Sequence, residues 1–184
     1  MTSSSSSFVL LFLLSIALHK YHPIVVVNGD TDLIQRTCKS TKYYDLCLSS
    51  LKADPTSPKA DMKGLATIMV GVGITNANAT ASYLSSKLVS ISTAGSSMKN
   101  VIKECADKYS YAVDALQSAI QDLNTEAYDF ACMHAMAAAD YPNACHNGFK
   151  RYAGLAYPPD LAAREDGLKH ICDVVLTMIS LLGW

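Results

Sequence analysis

Charged residues are scarce in this 184-residue chain, and neither sign of charge is in excess. Its 15 Lys and Arg nearly balance its 16 Asp and Glu, which gives a formal net charge of −1 at pH 7. The balance excludes the strongly basic surface that attracts nucleic acids and anionic membranes. Because 50% of the residues are hydrophobic and only 17% are charged, the composition also excludes intrinsic disorder and predicts one folded domain.

Long hydrophobic runs are missing as well. A membrane-spanning helix needs about 20 consecutive apolar residues, and the one marked run, Phe8 to Leu18, is eleven residues long. A run of this length near the start is typical of a signal peptide, so we expect no membrane anchor. Small residues precede Asp30, and cleavage of 1–29 would leave 30–184 as the mature secreted chain. Cleavage after Ala17 is the alternative.

Alternation of apolar and polar residues with period two is absent, which argues against a sheet. Apolar residues instead recur at steps of three and four along three segments, and an Ala-rich segment joins two of them. Ser57 is the expected N-cap of the first helix, with Pro58 in its first turn. The four predicted helices are Ser57–Ile91, Ser96–Leu123, Asn124–Phe149 and Leu161–Leu182.

Short connections between these segments make neighbouring helices antiparallel. Each apolar stripe must be buried against the others, so the pattern predicts an all-α fold, an up-down-up-down four-helix bundle over 57–184. Residues 30–56 lie outside this bundle and are predicted to form an N-terminal hairpin of two short helices.

Six cysteines in a chain with a predicted signal peptide favour an oxidising compartment and a disulfide-stapled fold. Two residues of an antiparallel hairpin lie level when they are equally far from its turn. Cys105 and Cys145 are equally distant from residue 125, next to the turn predicted at 123–125, so they can face each other. Cys38 and Cys47 would then close a small loop in the N-terminal hairpin.

The remaining two cysteines leave two alternatives open. Cys132 and Cys172 are equally distant from residue 152, inside the last connection of the bundle, so a third bridge is geometrically allowed. Free Cys is also among the most buried residue types, and two buried thiols are the alternative.

Ligands for a metal ion are not grouped in this sequence. Zinc sites need paired ligands on one helical face or a C-x2-C spacing, whereas His134 beside Cys132 and His146 beside Cys145 fall on divergent faces. His134 and His170 are candidate general bases, but no Ser or Cys in a glycine-flanked turn accompanies them as a nucleophile. We therefore expect no metal, no cofactor and no catalytic activity.

One modification signal is present. Asn78-Ala79-Thr80 is a sequon for N-linked glycosylation, which secreted chains acquire. Its position inside a predicted helix is unusual for a glycan, so Asn78 is a candidate rather than an assigned site.

Several motifs together resemble a plant family of proteinaceous inhibitors. They are Thr37-Cys38, the stretch Tyr44 to Cys47, the stretch Leu51 to Pro55, and the later cysteines at 105 and 145. Over 30–184 the chain is similar to the plant invertase and pectin methylesterase inhibitors. The resemblance implies a four-helix bundle with an N-terminal helical hairpin and bridges that match Cys38 to Cys47 and Cys105 to Cys145. It also implies stoichiometric inhibition of a plant carbohydrate-active enzyme, without catalysis.

The resemblance further implies a target-binding site at the turn between the second and third bundle helices. Cell-wall invertase inhibitors carry Pro-Lys-Phe there, and this tripeptide enters the invertase active site. The matching positions here are Tyr128, Asp129 and Phe130, so only the aromatic is kept and the charge is reversed. A tyrosine like Tyr128 is found at this position in many pectin methylesterase inhibitors.

The target is the least determined part of the prediction. The stretch Ala53 to Leu65 resembles a pollen-allergen branch whose members are named as invertase inhibitors, which favours plant acid invertase, bound at its active-site cleft. Pectin methylesterase is the alternative target, and a non-inhibitory allergenic or structural protein is the third interpretation. The predicted location is the apoplast of the cell wall, with the vacuole as the alternative.

Overall fold

A computed structural model describes residues 29–91 and 96–183 of the chain. Apart from Gly29, the predicted signal peptide lies outside the described residues. The described helices are α1 (Gly29–Lys39), α2 (Tyr44–Ala53), α3 (Met62–Ser90), α4 (Ser96–Asn124), α5 (Tyr128–Lys150) and α6 (Pro159–Leu181), with a short 3₁₀ turn at Ser57–Lys59. The described ranges contain no strand, which confirms the prediction of an all-α fold.

Helices α3 to α6 form a four-helix bundle. Helix α4 packs against α3 and α5, and α6 packs against the same two helices from the other side. The α1–α2 hairpin lies against α3 and α6. The predicted bundle with an N-terminal helical hairpin is therefore confirmed.

The apolar stripes predicted from the sequence form the core of this bundle. Tyr109, Leu116 and Leu123 of α4 are fully buried, as their spacing of three and four residues requires. Each fully buried side chain of this size contributes about 1.5–3 kcal/mol relative to an exposed one. Helices α3 and α4 approach closely at Gly73, where a Cβ would come within 3.1 Å of a Leu116 methyl group.

The first bundle helix begins later than the sequence pattern predicts. Ser57 lies in the 3₁₀ turn, and Ala60 is extended, so the chain is not yet helical there. Asp61 is the actual N-cap, because its carboxylate accepts a hydrogen bond from the backbone N–H of Gly64 at 2.7 Å. The Ser57 hydroxyl instead donates to the Leu51 carbonyl and holds the end of α2 in place.

Two disulfides are formed, and both are those that the resemblance implies. Cys38 and Cys47 join α1 to α2, with Cα atoms 5.5 Å apart. Cys105 and Cys145 join α4 to α5, with Cα atoms 4.6 Å apart, as expected for residues level across a hairpin.

The alternative of a third bridge is not realised, because Cys132 and Cys172 are free thiols buried in the core. Burial, with a smaller contribution from Asp173, raises the pKa of Cys172 from 9.0 to about 12. Burial also raises the pKa of Cys132, and the charge of Asp129 adds to the effect. In the described part of the chain, no helix is both long and apolar enough to cross a membrane.

Candidate functional site

The turn between α4 and α5 has a fixed backbone. The Ala127 N–H donates to the Asp122 carbonyl at 2.9 Å, and the Glu126 N–H donates to the Leu123 carbonyl at 3.2 Å. These two bonds form a Schellman motif, in which the residue just after the helix end takes a left-handed backbone conformation. Glu126 takes that conformation with φ of 60°, although glycine is the usual residue there.

Two side-chain pairs tie this turn to its surroundings. Lys63 Nζ of α3 lies 3.0 Å from Glu126 Oε1, and His134 Nδ1 of α5 lies 2.6 Å from Asp122 Oδ2 of α4. The hydrogen bond to Glu126 raises the pKa of Lys63 above its usual value. The turn is therefore held from α3 on one side and across the α4–α5 hairpin on the other.

The three residues predicted to bind a target differ in their surroundings. Tyr128 is half-buried and packs against the core, while Asp129 and Phe130 are exposed. The Phe130 side chain is the most accessible aromatic among the large exposed side chains, at 58%. A shallow cavity of about 290 Å³ lies beside these residues and is lined by Glu126–Phe130 and Gly183.

Asp129 gives the tip of the turn a negative charge. It lies in the first turn of α5, whose N-cap, Ala127, provides no side-chain cap, so its carboxylate is favourably placed at the positive end of the helix dipole. No basic group in the described ranges lies within ion-pair distance of Asp129.

Exposed apolar side chains continue from the turn along the hairpin. Phe130, Met133 and Met136 of α5 are 58%, 58% and 43% exposed, and Tyr111 of α4 is 48% exposed. The Tyr111 ring stands against Tyr141 of α5, with ring centroids 5.7 Å apart. We call these five side chains the outer face of the α4–α5 hairpin.

Sequence reasoning identified Phe130 but missed the rest of the outer face. The step of three residues from Phe130 to Met133 and Met136 is a recognisable signal. Buried residues of a core stripe can follow the same spacing, however, so the spacing does not show that these side chains are exposed. Large apolar side chains left exposed together, rather than singly, mark interaction surfaces.

A second cluster of titratable side chains lies between α5 and α6. The Glu165 side chain is only 7% exposed; its Oε2 lies 3.2 Å from His146 Nδ1, and its Oε1 lies 3.3 Å from Lys169 Nζ. The neighbouring Cys145 is held in its disulfide, so it supplies no nucleophile to His146. Within 29–91 and 96–183, no three potential metal ligands come together. We regard this cluster as a structural one.

The sequon residue Asn78 is exposed on α3. The Thr80 side chain is buried, and its hydroxyl donates to the Asn76 carbonyl at 3.0 Å. The folded protein therefore presents the Asn78 side chain but hides the hydroxyl of the sequon.

Comparisons with known proteins agree with this architecture. A family model described as plant invertase/pectin methylesterase inhibitor matches residues 32–178. The chain is 48% identical to cell wall / vacuolar inhibitor of fructosidase 2 of Arabidopsis thaliana, over 93% of this chain and 94% of the relative. It is 39% identical to pectinesterase inhibitor 28 of Oryza sativa subsp. japonica, over 82% of this chain and 69% of the relative.

The fold has a counterpart among solved structures. A mutant form of a pectin methylesterase inhibitor from Arabidopsis superposes with a TM-score of 0.64 at 21% identity, covering 78% of this chain and 93% of that one. The helical bundle, the two bridges and the family match over most of the sequence all lead to one assignment. The chain belongs to the plant invertase/pectin methylesterase inhibitor family.

Proposed function

We propose that this protein is a secreted inhibitor of plant acid invertase that binds the active-site cleft of the enzyme stoichiometrically and catalyses no reaction itself. The observation that carries the proposal is the exposed Phe130 beside a turn of fixed backbone. The relative named as an inhibitor of fructosidase, at 48% identity over 93% of the chain, supports this target.

The fixed turn favours insertion into a cleft. Ordering a loop on binding lowers affinity, and a preorganised loop avoids that cost. Here the two Schellman bonds fix the backbone of the turn before any partner arrives. The free energy gained by contacts of Phe130 would therefore not be spent on ordering the backbone.

Phe130 is the expected anchor of the interface. A few aromatic side chains carry most of the binding energy in protein complexes, and they must be accessible before binding. Tyr128 is half-buried and packs against the core, so its insertion would require it to leave that packing. Phe130 is free to insert, and Met133 lies one turn further along the same helix.

Pectin methylesterase is the second candidate target. Within the outer face, the exposed side chains of α5 extend from Phe130 to Met136, a rise of about 9 Å. A surface of this length suits a partner that is bound over a helix face rather than at a tip. The relative named as a pectinesterase inhibitor, at 39% identity, supports this alternative.

Titration of the secreted mature chain against a plant acid invertase and a plant pectin methylesterase tests the proposal. We expect invertase activity to fall linearly to a 1:1 end point. Phe130→Ala should weaken binding by about 2 kcal/mol, roughly thirtyfold in Kd. Val89→Ala is the matched control, because Val89 is an apolar side chain, 83% exposed, at the far end of α3.

The two enzymes give distinct outcomes. Inhibition of pectin methylesterase alone would replace the proposed target by the second candidate. Inhibition of neither enzyme would favour the third interpretation, a non-inhibitory member of the family. If Phe130→Ala binds invertase as tightly as the Val89→Ala control, the turn is not the contact.

We also propose a location and a modification. The name of the 48% identical relative points to the cell wall or vacuole, which agrees with the predicted signal peptide. N-glycosylation at Asn78 would have to precede folding, because the Thr80 hydroxyl is engaged in the folded helix. A mass loss on glycosidase treatment of the secreted protein, absent in Asn78→Gln, tests the assignment.

A further inference from the structure

A cavity of about 390 Å³ opens at the end of the bundle opposite the α4–α5 turn. It lies where the last turns of α3 meet the first turns of α4 and α6. Ligand pockets in proteins have volumes of about 300–1,000 Å³ and are mostly apolar with a few polar groups. This cavity is at the lower end of that range, so a ligand smaller than a typical drug fits it.

The interior of the cavity is apolar. Its floor consists of three buried side chains, Leu84, Ile102 and Leu161, one from each of the three helices. Half-buried side chains form the walls, namely Tyr83, Ile91, Met98 and Pro158. An apolar tail placed here would bury surface against side chains that already belong to the core.

Two cations contact the ring of Tyr83, a residue that lines the cavity. Lys87 lines the opening, and its Nζ lies 5.3 Å from the centroid of the Tyr83 ring. The Arg164 guanidinium lies 4.3 Å from the same centroid. Asp160 is the acidic residue among those that line the cavity. Lys87 and Asp160 are the charged residues of the lining and balance each other, and Arg164, on the Tyr83 ring beside the lining, adds a second cation.

Within the described ranges, these two cations contact an aromatic ring and no carboxylate. Among the described residues, no carboxylate lies within ion-pair distance of Lys87 or Arg164. Their common contact is Tyr83, whose ring face attracts both cations and holds them beside the apolar wall. The charges are thus positioned next to the cavity and remain available to an anion.

From this arrangement we propose that the cavity binds a small amphiphile, a carboxylate with a short aliphatic tail. The tail would lie on Leu84, Ile102 and Leu161, and the carboxylate would contact Lys87 and Arg164 at the mouth. This site is separate from the inhibitory surface, which lies at the opposite end of the bundle.

Charge and volume select this chemical class. A cationic amphiphile would bring its head group against Lys87 and Arg164. A sugar or a nucleotide would leave its polar groups without partners against the apolar floor. A lipid with two long chains exceeds the volume of the cavity.

Calorimetric titration of the mature protein at low ionic strength tests the proposal with three probes whose alkyl tails have seven or eight carbons. They are sodium octanoate, octanol and octyltrimethylammonium. We expect saturable 1:1 binding of octanoate, binding of octanol about fivefold weaker, and no binding of the cation. Lys87→Gln combined with Arg164→Gln should abolish the preference for octanoate over octanol and leave octanol binding unchanged.

Variants that fill the cavity locate the site. Met98→Trp and Ile91→Trp place an indole in the cavity from two different walls, and each should weaken octanoate binding at least tenfold. Leu181→Trp is the matched control, because Leu181 is 48% exposed at the other end of α6. Circular dichroism identifies any variant that fails to fold. If one filling variant is unfolded, octanoate binding to the other one tests the location of the site.

Three results would overturn the proposal. The first is the absence of saturable octanoate binding to the wild-type protein. The second is octanoate binding that both folded filling variants retain, since the ligand would then lie elsewhere. The third is equal affinity for octanoate and the cationic amphiphile, which would remove the role of Lys87 and Arg164. Invertase inhibition is expected to stay unchanged in the filling variants. A failure of the proposed ligand site can therefore be distinguished from a failure of the proposed inhibitory function.

Discussion

His134 Nδ1 and Asp122 Oδ2 lie 2.6 Å apart and join α5 to α4 beside the candidate turn. Asp122 therefore already has a partner within the molecule. Asp129 is exposed at the tip and has no basic group within ion-pair distance in the described part of the chain. Of these two acids, Asp129 is the one that a target enzyme would meet as an unpaired charge.

Asp129→Lys is expected to strengthen binding to acid invertase. The family resemblance implies that cell-wall invertase inhibitors carry a Lys at this position and that the invertase active site it enters is rich in carboxylates. The substitution therefore replaces repulsion by attraction at the interface. We expect Kd to fall about tenfold at low ionic strength, measured by titration of invertase activity.

Two further variants separate charge from other effects at this position. Asp129→Asn removes the repulsion without adding attraction, so it should give part of the gain. Asp122→Asn breaks the pair with His134 and should give none. Equal affinities of the wild type and Asp129→Lys would show that residue 129 lies outside the interface.

Glu126→Gly is expected to stabilise the fold. Glu126 has φ of 60°, a left-handed conformation that costs a residue with a Cβ about 1 kcal/mol or more. Glycine takes this conformation without that cost. The ion pair with Lys63 is lost, but it is solvent-exposed and such pairs contribute little. We expect a higher urea midpoint at an unchanged slope.

The neighbouring Thr125→Gly is the control for this substitution. Thr125 has an ordinary backbone conformation, and its hydroxyl donates to the Gln121 carbonyl at 3.2 Å. Glycine at position 125 therefore relieves no backbone strain and is expected to destabilise the fold. A lower midpoint for Glu126→Gly would show that the contact with Lys63 outweighs the backbone strain.

Much of the fold was predictable because the apolar period is unbroken where the core is deepest. Tyr109, Leu116 and Leu123 follow the helical spacing, and all three are fully buried. Cys105 and Cys145 are equally far from the turn in sequence, and this equality predicted how α4 and α5 align in their hairpin. The spacing of the apolar residues and the distance of each cysteine from the turn can both be read from a single sequence.

Features that depend on tertiary packing were not predictable in this way. Ser57 and Asp61 are both good N-cap residues, and the extended backbone at Ala60 decides between them. Tyr128 and Phe130 are equivalent as apolar aromatics in one helical turn, yet the first packs on the core and the second does not. Met133 has the same period as a core residue, so its exposure follows only from the position of the neighbouring helices.

The free thiols Cys132 and Cys172 should resist alkylation in the folded protein. The thiolate is the reactive form, and burial raises the pKa of Cys172 from 9.0 to about 12. At pH 8 the thiolate fraction is therefore roughly a thousandfold lower than for an ordinary thiol. Mass-spectrometric mapping after iodoacetamide should show both cysteines modified in denaturant and neither in the native state.

The same pKa shift gives the direction of the pH dependence. Above pH 9 the unfolded thiol ionises while the folded Cys172 stays protonated, so the folded state loses stability as the pH rises toward 12. The stability advantage of the wild type over Cys172→Ala should therefore shrink across this window. Rapid alkylation of the native protein at pH 8, or a peptide joining Cys132 to Cys172, would contradict this assignment.

Glu165→Ala is expected to destabilise the protein by about 2 kcal/mol. Glu165 is a nearly buried carboxylate that connects α5 to α6 through His146 at 3.2 Å and contacts Lys169 at 3.3 Å. Burial, together with the charge of this carboxylate, raises the pKa of Tyr157 well above its usual value. Removing the carboxylate takes away the partner of His146 and of Lys169 where the two helices meet.

Urea denaturation of three variants measures what this carboxylate contributes. Glu165→Gln keeps an acceptor oxygen for His146 and Lys169 but loses the charge that faces them, so its loss of stability should be about half that of Glu165→Ala. Asp166→Ala changes the adjacent, exposed acid and should stay within about 0.5 kcal/mol of the wild type. Equal effects of the substitutions at 165 and 166 would show that the buried cluster does not hold α5 and α6 together. A loss from Glu165→Gln as large as that from Glu165→Ala would assign the whole contribution to the charge of the carboxylate.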